Sequence, residues 1–259
     1  MPVADVNGQS IHFADSGGDK PAILFSHGFL MDHTMFDAQV ETFADQWRCV
    51  RWDERGFGAT PATAPFSYWD SADDAVALLD HLGIESAVFV GMSQGGFLSL
   101  RAALAHPDRV RALVLIDSQA GLDDAETLAG YDGMVAHWLS DEPLGEVGQF
   151  VAGLILGDPA LSEEWIAIWE QRRDPQLQHA AGALLERDDL TDRLGEITCP
   201  VLSIHGEQDQ AITMDRARAV QDGVIDGRGL VGVPGAAHAP NMTHPEIVNP
   251  ALGEFLASL

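Results

Sequence analysis

Ala87-Val88-Phe89-Val90-Gly91-Met92-Ser93-Gln94-Gly95-Gly96 is the stretch around which the rest of the chain falls into order. Ala87–Val90 is short, apolar and β-branched enough to be a buried strand. From Gln94 to Ala105 the apolar spacing predicts a helix, which His106-Pro107 ends. The pattern is therefore G-x-S-x-G set between a strand and a helix. A serine on so tight a turn has a strained backbone and exposes its hydroxyl at the sheet edge. Glycines two residues to either side let strand and helix approach closely. The helix N-terminus that follows offers free N–H groups and positive potential to a developing oxyanion. Without the flanking elements the same letters would be a glycine-rich helix start; with both in place, Ser93 reads as a nucleophile.

The same alternation extends in both directions. Val3–Val6 and Ile11–Ala14 flank Asn7-Gly8, a strong hairpin signal. Ala22–Phe25 is a strand running into Ser26-His27-Gly28-Phe29, and Cys49–Trp52 is another, running into Asp53-Glu54-Arg55-Gly56-Phe57-Gly58. Helices are predicted over Met35–Trp47 and Asp70–Leu82, and a strand over Leu113–Ile116. Beyond the middle of the chain, strands return at Val201–Ile204 and Leu230–Val233, with helices at Met214–Val220 and Pro245–Leu256. Strands alternating with amphipathic helices predict a mostly parallel, eight-stranded sheet covered on both faces.

Between Gly121 and Leu194 the alternation stops, and apolar stripes follow one another at helical spacing. One holds Leu128, Met134, Val135 and Trp138; a second Val147, Phe150, Val151, Leu154 and Ile155; a third Trp165, Ile166, Ile168 and Trp169. Asp174-Pro175 is placed to open a fourth helix. The expected organisation is an α/β core, residues 1–120 and 195–259, carrying a helical cap, residues 121–194. Such a cap would lie over the C-terminal edge of the sheet, where ligands bind in folds of this class.

The 259 residues include 40 Asp and Glu against 14 Lys and Arg, a net charge of −26 with Lys20 the only lysine. That charge repels nucleic acids and anionic membranes. It suits a solvated acidic shell, or a surface adapted to high salt. Cys49 and Cys199 are too few for a disulfide framework, and neither sits in a Cys/His cluster. No H-E-x-x-H or comparable spacing points to a metal. The apolar runs are too short to span a membrane, and the first residues lack the basic and apolar regions of a secretion signal. A cytoplasmic protein acting on a small molecule, with no metal or cofactor, is the expectation.

The segments SHGF, DERGFG, GMSQGG, LVLID, PVLSIHGEQD and PGAAHAPNMTHPE follow the successive strands in this order. In them the chain resembles the α/β-hydrolase superfamily, and within it the small cap-bearing esterases and enol-lactonases. The resemblance implies an α/β-hydrolase fold and a triad in the chain order Ser93, Asp209, His238. Asp209 lies just past a strand, where its carboxylate could fix the histidine tautomer; Asp117, ending the preceding strand, is its rival, and Glu207 a local competitor. His238 sits in a loop after the last strand, within reach of Ser93. Of the other histidines, His27 would hold its loop by hydrogen bonds, His244 would begin the last helix, and His137 and His179 in the cap could touch substrate. The backbone N–H groups of Phe29 and Gln94 are the implied oxyanion donors. Met92, Trp138, Trp165 and Trp169, with Phe29, are candidate walls of an apolar pocket. Arg55 reads as a structural tie to nearby carboxylates.

The chemistry these residues support is cleavage of a small carboxylic ester or lactone through an acyl-enzyme, without a cofactor. A carbon–carbon bond hydrolase or a cofactor-free haloperoxidase or perhydrolase would use the same triad. Serine at 93, not aspartate, argues against dehalogenase or epoxide hydrolase chemistry. A small-molecule receptor on the same fold would have no need of all three residues. Arg172 and Arg173 adjoin Asp174, and Arg187 adjoins Asp188, so the arginines of the cap offer a substrate carboxylate little; neutral substrates are expected to be preferred.

Overall fold

The computed structural model describes residues 1–259. Asn7 and Gly8 both take positive φ, 49° and 72°, as a tight two-residue hairpin turn demands. β1 (Val3–Val6) accordingly pairs antiparallel with β2 (Gln9–Asp15), and β2 antiparallel with β4 (Arg48–Trp52). The remaining neighbours are parallel: β3 (Ala22–Ser26), β5 (Ala87–Met92), β6 (Val110–Ile116), β7 (Val201–Gly206) and β8 (Gly227–Val233). The eight strands run in the order β1-β2-β4-β3-β5-β6-β7-β8. β3 is flanked by β4 on one side and β5 on the other, so the chain reverses its winding there. Connections leaving the tips of β3 and β5 diverge and open a crevice at the carboxyl edge of the sheet.

Every residue of β3 and β5 is buried, as strands covered on both faces must be. Their side chains alternate between two cores. Leu24, Phe89, Leu113 and Leu115 face one side, with α2 (Tyr68–His81), α3 (Gln94–Ala105) and α8 (Met214–Gly223) packed over them. Ile23, Phe25, Val88, Val90 and Val114 face the other, beneath α1 (Asp37–Phe43) and α10 (Pro245–Ala257).

Helix boundaries differ from the sequence expectation where a side chain caps the backbone early. The helix expected from Met35 to Trp47 is divided: Asp32 accepts the Thr34 amide and opens a 3₁₀ turn, His33–Phe36, before α1. α2 begins at Tyr68 because Ser67 and Asp70 form a reciprocal capping box. Asp174 does not open the fourth inserted helix. Its carboxylate accepts the Gln176 amide at 2.8 Å and closes a local turn, and the helix begins at Leu177.

Between β6 and β7 the chain is helical, with α4 (Ala125–Trp138), α5 (Gly145–Ile155), α6 (Pro159–Gln171) and α7 (Leu177–Leu185) in succession. The short α9 (Pro240–Thr243) precedes α10. No helix is long and apolar enough to cross a membrane.

Candidate active site

Ser93 sits between β5 and α3 at φ 50°, ψ −112°, a left-handed conformation that a serine adopts only under constraint. Its own amide donates to the Ile116 carbonyl at 2.8 Å, and its carbonyl accepts the Ser118 hydroxyl at 2.9 Å. The glycines around it are required by contact. A Cβ on Gly91 would stand 2.2 Å from the Gly95 carbonyl oxygen, and one on Gly95 2.0 Å from that of Ser26. The strand–turn–helix thus closes only as G-x-S-x-G. Gln94 is the first residue of α3, so its amide has no carbonyl to bond within the helix. The Phe29 amide, beyond β3, likewise donates to no carbonyl of the protein.

These loops are held from behind by buried polar groups. His27 is fully buried, its Nδ1 2.8 Å from the Gly28 carbonyl and its Nε2 accepting the Glu54 amide at 3.0 Å. Burial holds its ring below the ordinary histidine range. The Gln94 side chain donates to Glu54 at 2.9 Å and accepts from the Tyr68 hydroxyl. Burial pushes the Glu54 carboxyl well above its usual range. Arg55 forms a buried pair with Asp74, which also accepts from Asn7. It ties the loop after β4 to α2 and the first hairpin.

Asp209 and His238 meet at 2.7 Å, carboxylate Oδ2 to ring Nδ1. Asp209 lies in the turn after β7, and its Oδ1 accepts the amides of Ala211 and Ile212 at 2.8 and 3.1 Å. Burial works against its charge, but the His238 ring and the Ile212 amide hold its carboxyl below the usual range. An ionised Asp209 accepts a hydrogen bond from Nδ1–H, which leaves Nε2 of His238 free to accept. Glu207 is exposed.

Asp117, the other candidate acid, is neither remote nor equivalent. It stands just after β6 at φ 45°, fully buried, and its Oδ1 accepts the Gly206 amide at 2.9 Å. It lies directly behind Asp209: ligating atoms of Asp117, Asp209 and His205 fall within 4.8 Å of one another. Burial, then the Asp209 charge, push the Asp117 carboxyl well above its ordinary range. His205 Nε2 is 2.7 Å from the Ile212 carbonyl, to which it donates. Another close group, Asp32, His33 and Asp53, is also tied internally, with His33 Nδ1 2.7 Å from Asp53 and Asp32 paired to Arg172.

Ser93 and His238 face one cavity of about 580 Å³, together with Phe29, Met92 and residues of α4 and α5. Trp138, Trp165 and Trp169 do not line it. They stack on one another as buried core, with ring centroids 5.4 and 6.3 Å apart, and the Trp169 indole donates to the Leu30 carbonyl at 2.8 Å. Trp138 and Trp169 border instead a second cavity of about 360 Å³, with Arg172 and Arg173. His137 caps the Pro143 carbonyl at 3.0 Å, and neither it nor His179 reaches the cavity over Ser93. The walls that sequence reasoning missed include Tyr131 and Met134 on α4, Glu146, Phe150 and Leu154 on α5, and the glycines Gly130 and Gly133.

A serine elbow at the carboxyl edge of this sheet, facing a histidine–carboxylate pair, defines a protein of the hydrolase type built on an α/β sheet. The family model described as alpha/beta hydrolase fold matches residues 21–245, and the chain belongs to that family. It is 26% identical to the 3-oxoadipate enol-lactonase 2 of Acinetobacter baylyi over 94% of this chain and 91% of that one. It is 29% identical to the bifunctional esterase/perhydrolase DCH of Acinetobacter calcoaceticus, over 99% of both chains. Among solved structures it resembles a thermophilic esterase from Thermogutta terrifontis, with a TM-score of 0.89 and 27% identity over 99% of this chain and 98% of that one. These relatives support a hydrolase.

Proposed function

We propose that the protein is a serine hydrolase that cleaves small carboxylic esters or lactones through an acyl-enzyme. The observation that carries this reading is the 2.7 Å contact of Asp209 with His238, on the wall of the cavity that Ser93 enters from its strained turn. His238 Nε2 takes the Ser93 proton as Oγ attacks the carbonyl, and Asp209 stabilises the imidazolium. The Phe29 and Gln94 amides receive the oxyanion; His238 returns the proton to the leaving alcohol, and water then releases the acid. The helices between β6 and β7 act as the cap, since α4 and α5 supply much of the cavity wall.

Ser93→Ala should lose about 10⁴-fold or more in kcat while folding normally, and a serine-directed phosphonate should label Ser93 alone. Full activity in the variant, or labelling elsewhere, refutes the mechanism. One second reading has a specific observation behind it: the 29% identical relative is a bifunctional esterase/perhydrolase. Hydrogen peroxide in place of water would convert the same acyl-enzyme to a peracid. Peracid formation that saturates with peroxide would add that activity.

A further inference from the structure

The cavity over Ser93 is bounded by two helix faces. Gly130, Gly133 and Met134 belong to α4, and Phe150 and Leu154 to α5, with Glu146 at the start of α5. Two features of these faces are costly to the fold. Gly130 and Gly133 lie inside a helix, where glycine is markedly worse than alanine, yet a Cβ on either would meet nothing within 4 Å. No packing requires them; what they supply is room. Phe150 is 71% exposed although it belongs to the cavity wall. A large aromatic left in water at the edge of an apolar cavity has area to bury when a ligand arrives.

The charges around the cavity are one-sided. Glu146 is the one Asp, Glu, Lys or Arg in its wall. The cap arginines are engaged elsewhere: Arg187 with Asp123 and the Leu184 carbonyl at 2.7 Å each, Arg172 with Asp32, and Arg173 with the carbonyls of Trp138 and His137. A carboxylate entering this cavity would lose its water and meet a like charge.

We propose that the cleft between α4 and α5 is a slot for an uncharged apolar chain of the ester, its depth set by Gly130 and Gly133, its mouth closed by Phe150, and ω-carboxylated chains excluded by Glu146. The proposal rests on the serine hydrolase reading for the position of the scissile bond, but the slot can be read without turnover.

The test is kcat/KM for p-nitrophenyl acetate, butyrate, hexanoate and octanoate, and for n-alkyl acetates of the same lengths. In one of the two series the wild-type value should climb by up to about fourfold per methylene. Gly133→Leu, which favours the helix and fills the slot, should flatten the climb; Gly130→Ala repeats the test should the larger residue disturb folding. Phe150→Ala should lower the hexanoate-to-acetate ratio several-fold. p-Nitrophenyl hexanoate should exceed mono-p-nitrophenyl adipate, the same chain ending in a carboxylate, by about tenfold or more at low salt. Glu146→Lys should narrow that margin. Profiles flat in both series, or an adipate half-ester that is cut as fast as hexanoate, overturn the slot. NMR titration of Ser93→Ala with methyl butyrate and methyl octanoate, and with butyl and octyl acetate, reads binding alone. Tighter binding of the longer ligand with no esterase activity in the wild type would leave the slot standing and remove the hydrolase reading. Equal binding of short and long ligands in both pairs would overturn the slot.

Discussion

Asp209 and Asp117 are the two carboxyl groups at the base of the site, and replacing each by asparagine separates their roles. Asp209 Oδ2 is 2.7 Å from His238 Nδ1. An amide there would donate where the carboxylate accepts, favouring the wrong ring tautomer and leaving the imidazolium without its counter-charge; loss of about 10⁴-fold in kcat is expected. Asp117 is different because burial and the Asp209 charge hold its carboxyl well above the ordinary range. A carboxyl raised in this way keeps its proton to higher pH than an ordinary one, and while protonated it can donate a hydrogen bond to Asp209. Asparagine is neutral, of the same shape, and also a donor, so Asp117→Asn should keep activity within about tenfold, the worth of one hydrogen bond. Its signature lies in stability. The folded protein keeps a proton on Asp117 that the unfolded chain releases above about pH 4. Wild-type stability therefore declines through Asp117 as pH rises from that point to the folded pKa. Asp117→Asn removes this decline, so its advantage over wild type should grow as pH rises from about 4 toward the folded pKa of Asp117 and vanish below about pH 4. Urea unfolding of both proteins from pH 4 to pH 8, beside kcat/KM on p-nitrophenyl acetate, makes the comparison. An Asp117→Asn enzyme as inactive as Asp209→Asn, or a stability difference constant across that range, would refute the assignment.

Three other substitutions bear on the scaffold of the site. Ser93→Gly should be as inactive as Ser93→Ala but more stable by about 1 kcal/mol in thermal unfolding, because glycine accepts the left-handed turn without strain; equal stabilities would mean the turn is unstrained. Gly95→Ala drives a Cβ to 2.0 Å from the Ser26 carbonyl oxygen, and should destabilise by roughly 3 kcal/mol or more; a variant with wild-type stability and activity contradicts the close approach. Arg55→Ala leaves Asp74 buried and unpaired by any arginine, and should cost roughly 3–5 kcal/mol in denaturant unfolding. A loss of activity there without loss of stability would make Arg55 a substrate contact.

The sheet was legible because strands buried on both faces must be apolar throughout: AILFS in β3 and AVFVGM in β5 leave no polar alternation to mislead. G-x-S-x-G was legible because its glycines answer to backbone contacts that any such turn creates. Boundaries were less so, since Ser67, Asp32 and Asp174 each bond the backbone locally, and only the folded geometry decides between cap and turn. The pocket was least legible. The stripe Val147, Phe150, Val151, Leu154, Ile155 has the same spacing whether it meets a neighbouring helix or an empty cleft. Size misled in the other direction: the tryptophans of α4 and α6 bury best against one another, whereas the cavity is opened by Gly130 and Gly133, whose helical positions look like weak sequence and nothing more. That Asp117 and Asp209 act as neighbours follows from β6 lying beside β7, a pairing which no local pattern records.

Backbone strain in this chain is gathered at one edge of the sheet. Four residues other than glycine have positive φ, and one of them, Asn7, belongs to the hairpin turn. The other three are Leu30, Ser93 and Asp117, just beyond β3, β5 and β6. Each conformation costs roughly 1–3 kcal/mol, and each is held by something rigid. Leu30 is pinned through its carbonyl by the Trp169 indole, Ser93 by the Ile116 carbonyl, and Asp117 by the Gly206 and Ile204 groups of the adjacent strand. The consequences converge. The first sets the loop that carries the Phe29 amide, the second turns a hydroxyl out of a helix start, and the third drives a carboxyl under Asp209. Three adjacent parallel strands, buried on both faces, are the part of the molecule best able to hold such distortions without relaxing. The tryptophans, then, bear on the site without touching its cavity: by stacking into a fixed core they hold Leu30, next to Phe29 in the loop after β3.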